Sequence, residues 1–509
     1  MAYIVPNTTI YICKGVPLDN TYKHTLYFSS PSAQQQYFSG KVKTTLSQYT
    51  YQRNEAYVRA GVCADDIFEC NYLMFQNTAY GNKWWYAFIT DIRWVNNEVS
   101  EIYFEIDNLQ SYLFDVDVAQ CYVEREHSAT DEIGDNLLAD NLPLGDHVQY
   151  GIPETPGELL LPEIVVAATF DENFESAQGH IYGSGIYSGL CYNVFHITQE
   201  SAINSFIEQA VEKNLAEGIV AIYITPGIPP VYDGTAVQPL SFSVDKEYGS
   251  FDGYTPKNNK LYTYPYNYLY VYCPSGVGAT YAYEYFSNKR ATFMYMLSAS
   301  LAPDVTIAPT NYKGFAQNLN EKITITGYPQ CAYNVDTYKA WLAQNGSAFI
   351  TSGISNILGG AVGMVGSALT GNVIGAVSAG ISTATNIAQD INTINRIASM
   401  PDHAKGSATG GSLDAYLQRI PYFQNMRVRR EYAEIIDNYW TMYGYPCRRV
   451  KTPNISARPG WNYTRTIGCT VLGEAPSPVL AQIGQIYDRG ITFWKNPANV
   501  GNYSGDNSV

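Results

Sequence analysis

Glu101-Ile102-Tyr103-Phe104-Glu105-Ile106-Asp107 alternates polar and apolar positions without a break. Only an extended strand, whose side chains point to opposite faces with a period of two, makes use of that pattern. The alternation assigns Ile102, Phe104 and Ile106 to a core and leaves Glu101, Glu105 and Asp107 with Tyr103 on the other face. Such an acidic row reads either as a solvated exterior or as the wall of a channel that must not bind a polyanion, with Glu101, Glu105 and Asp107 as candidate channel-wall acids. Just upstream, Trp84 to Ile92 is a second strand, entered through the turn signal Tyr80-Gly81-Asn82. Downstream, Tyr262, Tyr264, Tyr266, Tyr268, Tyr270 and Tyr272 occupy every second position and would all point to one side of an extended strand, which Pro265 places at an edge or a bulge. This ladder suits a sugar-binding platform or packing between subunits or domains. The β pattern breaks once: Ile203, Phe206, Ile207, Ala210 and Val211 form a helical stripe between an N-cap at Thr198 and a stop at Gly218, flanked by strands Ile164 to Ala168 and Ile219 to Thr225. The fold class that follows is mainly β with an inserted α/β element.

Composition agrees. The 45 tyrosines among 509 residues favour strands and broad contact surfaces, and a length of this order holds three or four domains at roughly 100 to 200 residues each. A net charge of −15 opposes any general role in wrapping nucleic acid. Nine scattered cysteines without a C-x-x-C pair read as reduced core thiols rather than disulfides or metal ligands. The start, Met-Ala-Tyr-Ile-Val-Pro, lacks a basic n-region and an apolar h-region, so no signal peptide is expected.

The segment Ala340 to Gln389 runs for 50 residues without a charged side chain, bounded by Lys339 and Asp390. Ile354, Ile357, Leu358, Ala361, Val365, Ala368 and Leu369 keep helical spacing; Val377, Ile381, Ala384, Ala388 and Ile391 repeat it after the turn Thr370-Gly371-Asn372. The reading is an apolar helical hairpin or loop. Each arm, of roughly 20 residues, is long enough to cross a hydrocarbon core of about 30 Å. Gly359 with Gly363 and Gly371 with Gly375 are small-x-x-x-small pairs. Too rich in Ser, Asn and Gly for a permanent anchor, the segment reads as a conditional membrane inserter or as a hairpin buried in an oligomer. The candidate membrane-insertion residues are Phe349, Ile350, Ile354, Ile357, Leu358, Gly359, Gly363, Met364, Val365, Leu369, Gly371, Val373, Ile374, Gly375, Val377 and Ile381. Pro401 and Gly406 to Ser412 follow as a hinge.

Between Arg427 and Arg465 the balance reverses, with eight basic against three acidic residues. Arg427, Arg429, Arg430, Arg448 and Arg449 form a candidate docking basic face, or else a solvated rim. Within this region Tyr432, Ile435, Ile436, Tyr439 and Tyr443 share one helix face ending at Gly444. No catalytic constellation is present: the six histidines are far apart, no phosphate-binding loop or Gly-x-Ser-x-Gly occurs, and Asp65, Asp66, Asp171 and Glu172 look like surface acids. Neither an enzyme activity nor a metal or other cofactor is expected.

Several blocks carry a family resemblance. Asn20 to Phe28, Tyr72 to Asn77 with Tyr80 to Trp84, Phe104 to Asp107, Glu124 to His127, Pro256-Lys257-Asn258-Asn259-Lys260-Leu261 with Tyr264 to Asn267, Tyr443-Gly444-Tyr445, Trp461-Asn462-Tyr463 and Gly490 to Trp494 resemble, in order along the chain, the tail knob or distal tail tube proteins of small short-tailed phages of Gram-positive bacteria. The resemblance implies β-barrel tube domains in a homohexameric ring at the tip of the virion tail, assembled in the host cytoplasm. It also implies stored apolar loops that penetrate the host cytoplasmic membrane lipid, opening a conduit for double-stranded DNA that binds without sequence specificity. Other tail proteins, such as proximal tube or collar and appendage or spike proteins, are the implied partners. On this view residues 1–130 are an N-terminal tube β domain and 131–330 are middle β domains with the α/β element. Residues 331–415 are the membrane-active loop and hinge, and 416–509 return to the tube wall. Six copies at −15 sum to −90, which suits a bore in which DNA slides. The alternative is a receptor-binding tail protein that grips cell-wall carbohydrate through its Tyr-rich β surface.

Overall fold

The computed structural model describes residues 7–49, 57–78, 81–160, 162–175, 181–182, 186–187, 190–196, 200–227, 240–298, 302–331 and 415–505. The uncharged segment, its hinge and every candidate membrane-insertion residue lie outside them. The chain is mainly β, with few helices, and divides into two compact units. Neither unit is continuous in sequence. One gathers Met1–Gly145, Ser250–Leu261 and Arg430–Val509, the other Asp146–Gly249 and Tyr262–Arg429. The two units are interleaved in sequence because strands far apart in the chain pair with one another.

In the first unit the alternating stretch forms the strand Val99–Ile106. It sits in a six-stranded antiparallel sheet ordered Val42–Tyr49, Thr8–Lys14, Cys70–Asn77, Trp84–Asn96, Val99–Ile106, Tyr57–Ala60. Laid flat, six strands at about 4.8 Å spacing would hold the two edges far apart. Instead Gly61, just past one edge strand, donates its N–H to the hydroxyl of Tyr49 at the end of the other, at 2.9 Å, so the sheet is rolled on itself. The turn into Trp84–Asn96 carries Gly81 at φ +81° and Asn82 at φ +56°, the left-handed geometry a tight hairpin needs. A second sheet runs His24–Leu26, Ile491–Trp494, Trp461–Ile467, Cys121–Glu126, Tyr445–Lys451. Its first two strands pair in parallel, His24 opposite Thr492, which joins the beginning of the chain to its end. One core serves both sheets: Phe38 stacks on Tyr72 at 5.1 Å, and Phe493 and Trp494 are buried in the same cluster.

The second unit holds three larger sheets. Four strands run His147–Glu154, Tyr422–Val428, Asn267–Tyr272, Gly278–Tyr281, and another sheet is built on Leu240–Asp245, Arg290–Ser298 and Asp304–Tyr312. Between them lies an aromatic core in which the Phe293 ring meets Tyr281 at 5.0 Å, Phe423 at 5.1 Å and Phe286 at 5.6 Å. The third sheet, Cys191–His196, Pro162–Ala168, Ile219–Pro226, Gln330–Cys331, packs with the helix Glu200–Glu212 as the expected α/β element, with Ile203, Phe206, Ile207 and Ala210 buried. Thr198 lies outside the described residues. The helix stops at Asn214 (φ +58°), not at Gly218: Leu215 N–H reaches back to Ala210 O at 2.8 Å, closing the end by a left-handed residue.

The tyrosine ladder is shorter than its spacing suggests. The strand begins at Asn267, because Tyr262 ends a short 3₁₀ turn and both Tyr266 N–H and Asn267 N–H fold back onto Thr263 O. Only Tyr268, Tyr270 and Tyr272 share a face, half-buried, while Leu269 and Val271 point to the core; Tyr266 is buried and Tyr264 exposed. The strand is also interior, between Tyr422–Val428 and Gly278–Tyr281, so Pro265 precedes it instead of marking an edge.

Candidate functional site

Pro256 to Asn258 carries no regular structure and Asn259–Tyr262 only a short 3₁₀ turn, so the backbone N–H groups here need partners other than a strand ladder. Asp437, on the helix Arg430–Tyr443, supplies them. Its carboxylate accepts from Lys257 N at 2.7 Å, Asn258 N at 3.0 Å, Asn258 Nδ2 at 2.8 Å and the Tyr254 hydroxyl at 2.5 Å. Asp131 continues the arrangement, accepting from Asn259 N at 3.0 Å and from the Tyr445 hydroxyl. Arg458 donates to Asn258 Oδ1 at 3.3 Å. Beside this junction Arg125 pairs with Asp140, which also accepts from Trp440 Nε1 at 3.1 Å, and Lys260 donates to Leu138 O at 2.6 Å. His127 accepts from Tyr463 N at 2.7 Å through Nδ1, which leaves Nε2 to donate to Thr441 O at 3.2 Å.

Burial dominates the electrostatics. It raises the Asp131 carboxyl against the lowering effect of the Tyr445 bond, and pushes Lys260 down to about 8 despite Asp140 nearby. The His127 ring is held well below its usual value by burial, then by the Arg458 charge, so it stays neutral. Every group here is occupied in holding distant segments together, and none is placed to activate a nucleophile. Among the described residues no three His, Cys, Asp or Glu side chains form a set that could hold a metal ion.

Spacing alone groups Tyr432, Ile435, Ile436, Tyr439 and Tyr443 on one face of this helix. The buried stripe is Ala433, Ile436, Asp437, Trp440 and Thr441, and Ile435 is 58% exposed. A charged residue on the inward face hid it, since hydrophobic periodicity counts Asp as outward. Its signal was the Asn258-Asn259 pair, side chains able to cap an irregular turn but needing a buried acceptor.

The candidate channel-wall acids separate. Glu105 is exposed and accepts from Asn20 Nδ2 at 3.2 Å; Glu101 pairs with Arg59 at 3.0 Å. Asp107 is buried, not on an open wall: it caps the short helix Asn108–Ser111 through Gln110 N at 3.1 Å and accepts from the Tyr72 hydroxyl at 2.9 Å. Burial pushes its carboxyl up to about 7. The candidate docking basic face also divides. Arg427 is buried with its guanidinium 3.2 Å from the Tyr150 ring centroid and belongs, like exposed Arg429, to the second unit. Arg430, Arg448 and Arg449 are exposed on the first, where Arg430 pairs with Glu434 at 2.7 Å. The local positive balance is further spent on Lys451 with Glu126 and Arg465 with Glu124. No helix among the described residues is long and apolar enough to cross a membrane.

Residues 233–508 match the family described as Bacillus phage phi29, tail knob protein gp9, C-terminal domain, and residues 6–117 match the caudoviral major tail protein N-terminus. Over the whole of both chains the sequence is 26% identical to tail knob protein gp9 of Bacillus phage B103 and 25% identical to that of Bacillus phage phi29. The tail knob protein gp12 of bacteriophage C1 has a similar fold, with a TM-score of 0.63 at 14% identity, covering 97% of this chain and 98% of that one.

Proposed function

The chain belongs to the tail knob protein gp9 family, and from that premise we propose that six copies form a ring at the tail tip through which double-stranded DNA leaves the virion, with the uncharged segment entering the host cytoplasmic membrane. The observation that carries the membrane half is Ala340 to Gln389, 50 residues without a charge in a chain whose charged residues make up 15%. A segment of that kind is apolar enough to enter lipid, while its Ser, Asn and Gly keep it compatible with water before release. Phe349 to Ile381 is the part proposed to meet the acyl chains. The role is structural and calls for no catalytic group or cofactor. Glu101 and Glu105 remain the acids proposed to face the bore.

Dye release from liposomes tests the membrane half, comparing the intact protein with one lacking residues 349–398. Leakage confined to the intact chain is expected; equal leakage removes the membrane claim and leaves the conduit. Images of the purified oligomer test the ring, which should show six-fold symmetry with a central hole.

A second reading, recognition of cell-wall carbohydrate, is favoured by one observation. Tyr268, Tyr270 and Tyr272 share a half-buried face, the last two rings stacked at 5.3 Å. Loss of glycan binding in Tyr268→Ala or Tyr270→Ala would support it, whereas Tyr266 is buried and its removal reports only on folding.

A further inference from the structure

Resting on the ring reading, we propose that neighbouring copies meet head to tail: an acidic knob tipped by Phe68 on one copy docks on a basic-rimmed apolar row, Tyr122, Val450 and Ile467, on the next. Both surfaces belong to the first unit.

The row is a product of strand register. Val450 lies opposite Tyr122, and Tyr122 opposite Ile467, across three adjacent strands, so the three side chains stand in line on one sheet face. They are 67%, 38% and 57% exposed. The wet face of an antiparallel sheet ordinarily carries polar residues, and here its centre does not. Arg448 and Arg449 are exposed on the same strand, which is the edge of its sheet; Arg449 lies opposite buried Val123, on the other face from the row, so the two arginines bracket the edge beside Val450 from both sides. Among the described residues neither is ion-paired, while the neighbouring Lys451 and Arg465 are neutralised by Glu126 and Glu124. The knob has the opposite composition. Ala64 and Ile67 anchor a one-turn helix that leaves Asp65 and Asp66 exposed. Phe68 follows at 74% exposure, the highest of any large apolar side chain among the described residues. Glu69 is shared by Lys14 and Lys43, which leaves one positive charge there, so with Asp65 and Asp66 the knob carries a net charge of −1.

Single exposed apolar residues need no explanation. Here two apolar surfaces carry unpaired charge of opposite sign, and each occurs once per chain. Pairing row with row sets arginine against arginine, and knob with knob sets aspartate against aspartate; only the crossed pairing attracts. Two different patches meeting head to tail form a heterologous contact, the kind that closes into rings.

The test uses the full-length chain and charge reversal, with assembly read by native mass spectrometry and folding by circular dichroism. Arg448→Glu with Arg449→Glu, and separately Asp65→Lys with Asp66→Lys, are each expected to leave folded monomers at tenfold or more the concentration at which the unaltered chain assembles. An equimolar mixture of the two variants should restore rings of even number with alternating subunits, since every contact then pairs opposite charges. Phe68→Ser should weaken assembly while melting at the same temperature as the unaltered chain. A ring indifferent to both reversals, or reversals that the mixture fails to rescue, overturns this contact and leaves the ring standing. A chain that stays monomeric without any substitution removes the ring itself.

Discussion

In the first unit the helix Arg430–Tyr443 meets Asn258, 179 residues earlier, through the Asp437 carboxylate. In the second, Phe293 meets Phe423 through an edge-on ring contact, with the backbone already paired in ladders on either side. The difference follows from what the backbone can do for itself. Strands satisfy one another's N–H and C=O groups and fix their own register, so apolar packing suffices to seal them. The segment around Lys257 to Asn259 has no ladder, and its N–H groups must be met by side chains; Asp437 and Asp131 do so at the cost of placing carboxylates in the interior.

The sharpest break of this comparison is Asp437→Leu. It leaves several buried donors without an acceptor and should cost about 3–5 kcal/mol, read as faster hydrogen exchange throughout the first unit. Exchange rising equally in strand Arg290–Ser298 would mean the interiors are not distinct. Next comes pH. Asp107 is raised to about 7, above its unfolded value of about 3.9, so the folded state binds more protons between them. Its contribution is fully present below about 4 and is lost as pH rises through about 7, on the order of a few kcal/mol. Asp107→Asn should flatten that slope in strands Cys70–Asn77 and Val99–Ile106, measured by denaturant midpoints at a series of pH values. Smaller again is Phe293→Leu, which keeps the second unit's core apolar and should cost about 1–1.5 kcal/mol. The least effect belongs to Arg59→Ala: its ion pair with Glu101 is exposed on the arginine side, and a midpoint change below about 1 kcal/mol is expected.

Legibility in the sequence followed the same division. Alternation located Val99–Ile106, the 3.6-residue stripe located Glu200–Glu212, and the strands flanking that helix pair with each other, Ile164 opposite Ile224. These elements bury apolar faces, and periodicity reports burial of apolar faces directly. Asp437, Asp107 and Arg427 were invisible to it, since a charged residue counts as outward until its partner is known. The tyrosine ladder failed for a local reason: Thr263 O captures two N–H groups and delays the strand to Asn267. Interleaving of the units was legible only as a set of resembling blocks at both ends of the chain, because no local pattern encodes which strands meet across hundreds of residues.

One pairing has a consequence for biosynthesis. His24–Leu26 hydrogen-bonds alongside Ile491–Trp494, so a strand made almost first waits for one made almost last. At about 5–20 residues per second, a ribosome needs roughly 25 to 100 s to travel between them. Throughout that interval the nascent polypeptide lacks the strand that pairs with His24–Leu26, and a chain interrupted before Ile491 cannot finish that sheet. Sheet order thereby sets a sequence of events in biosynthesis: the partner of His24–Leu26 becomes available only once Ile491–Trp494 has been made.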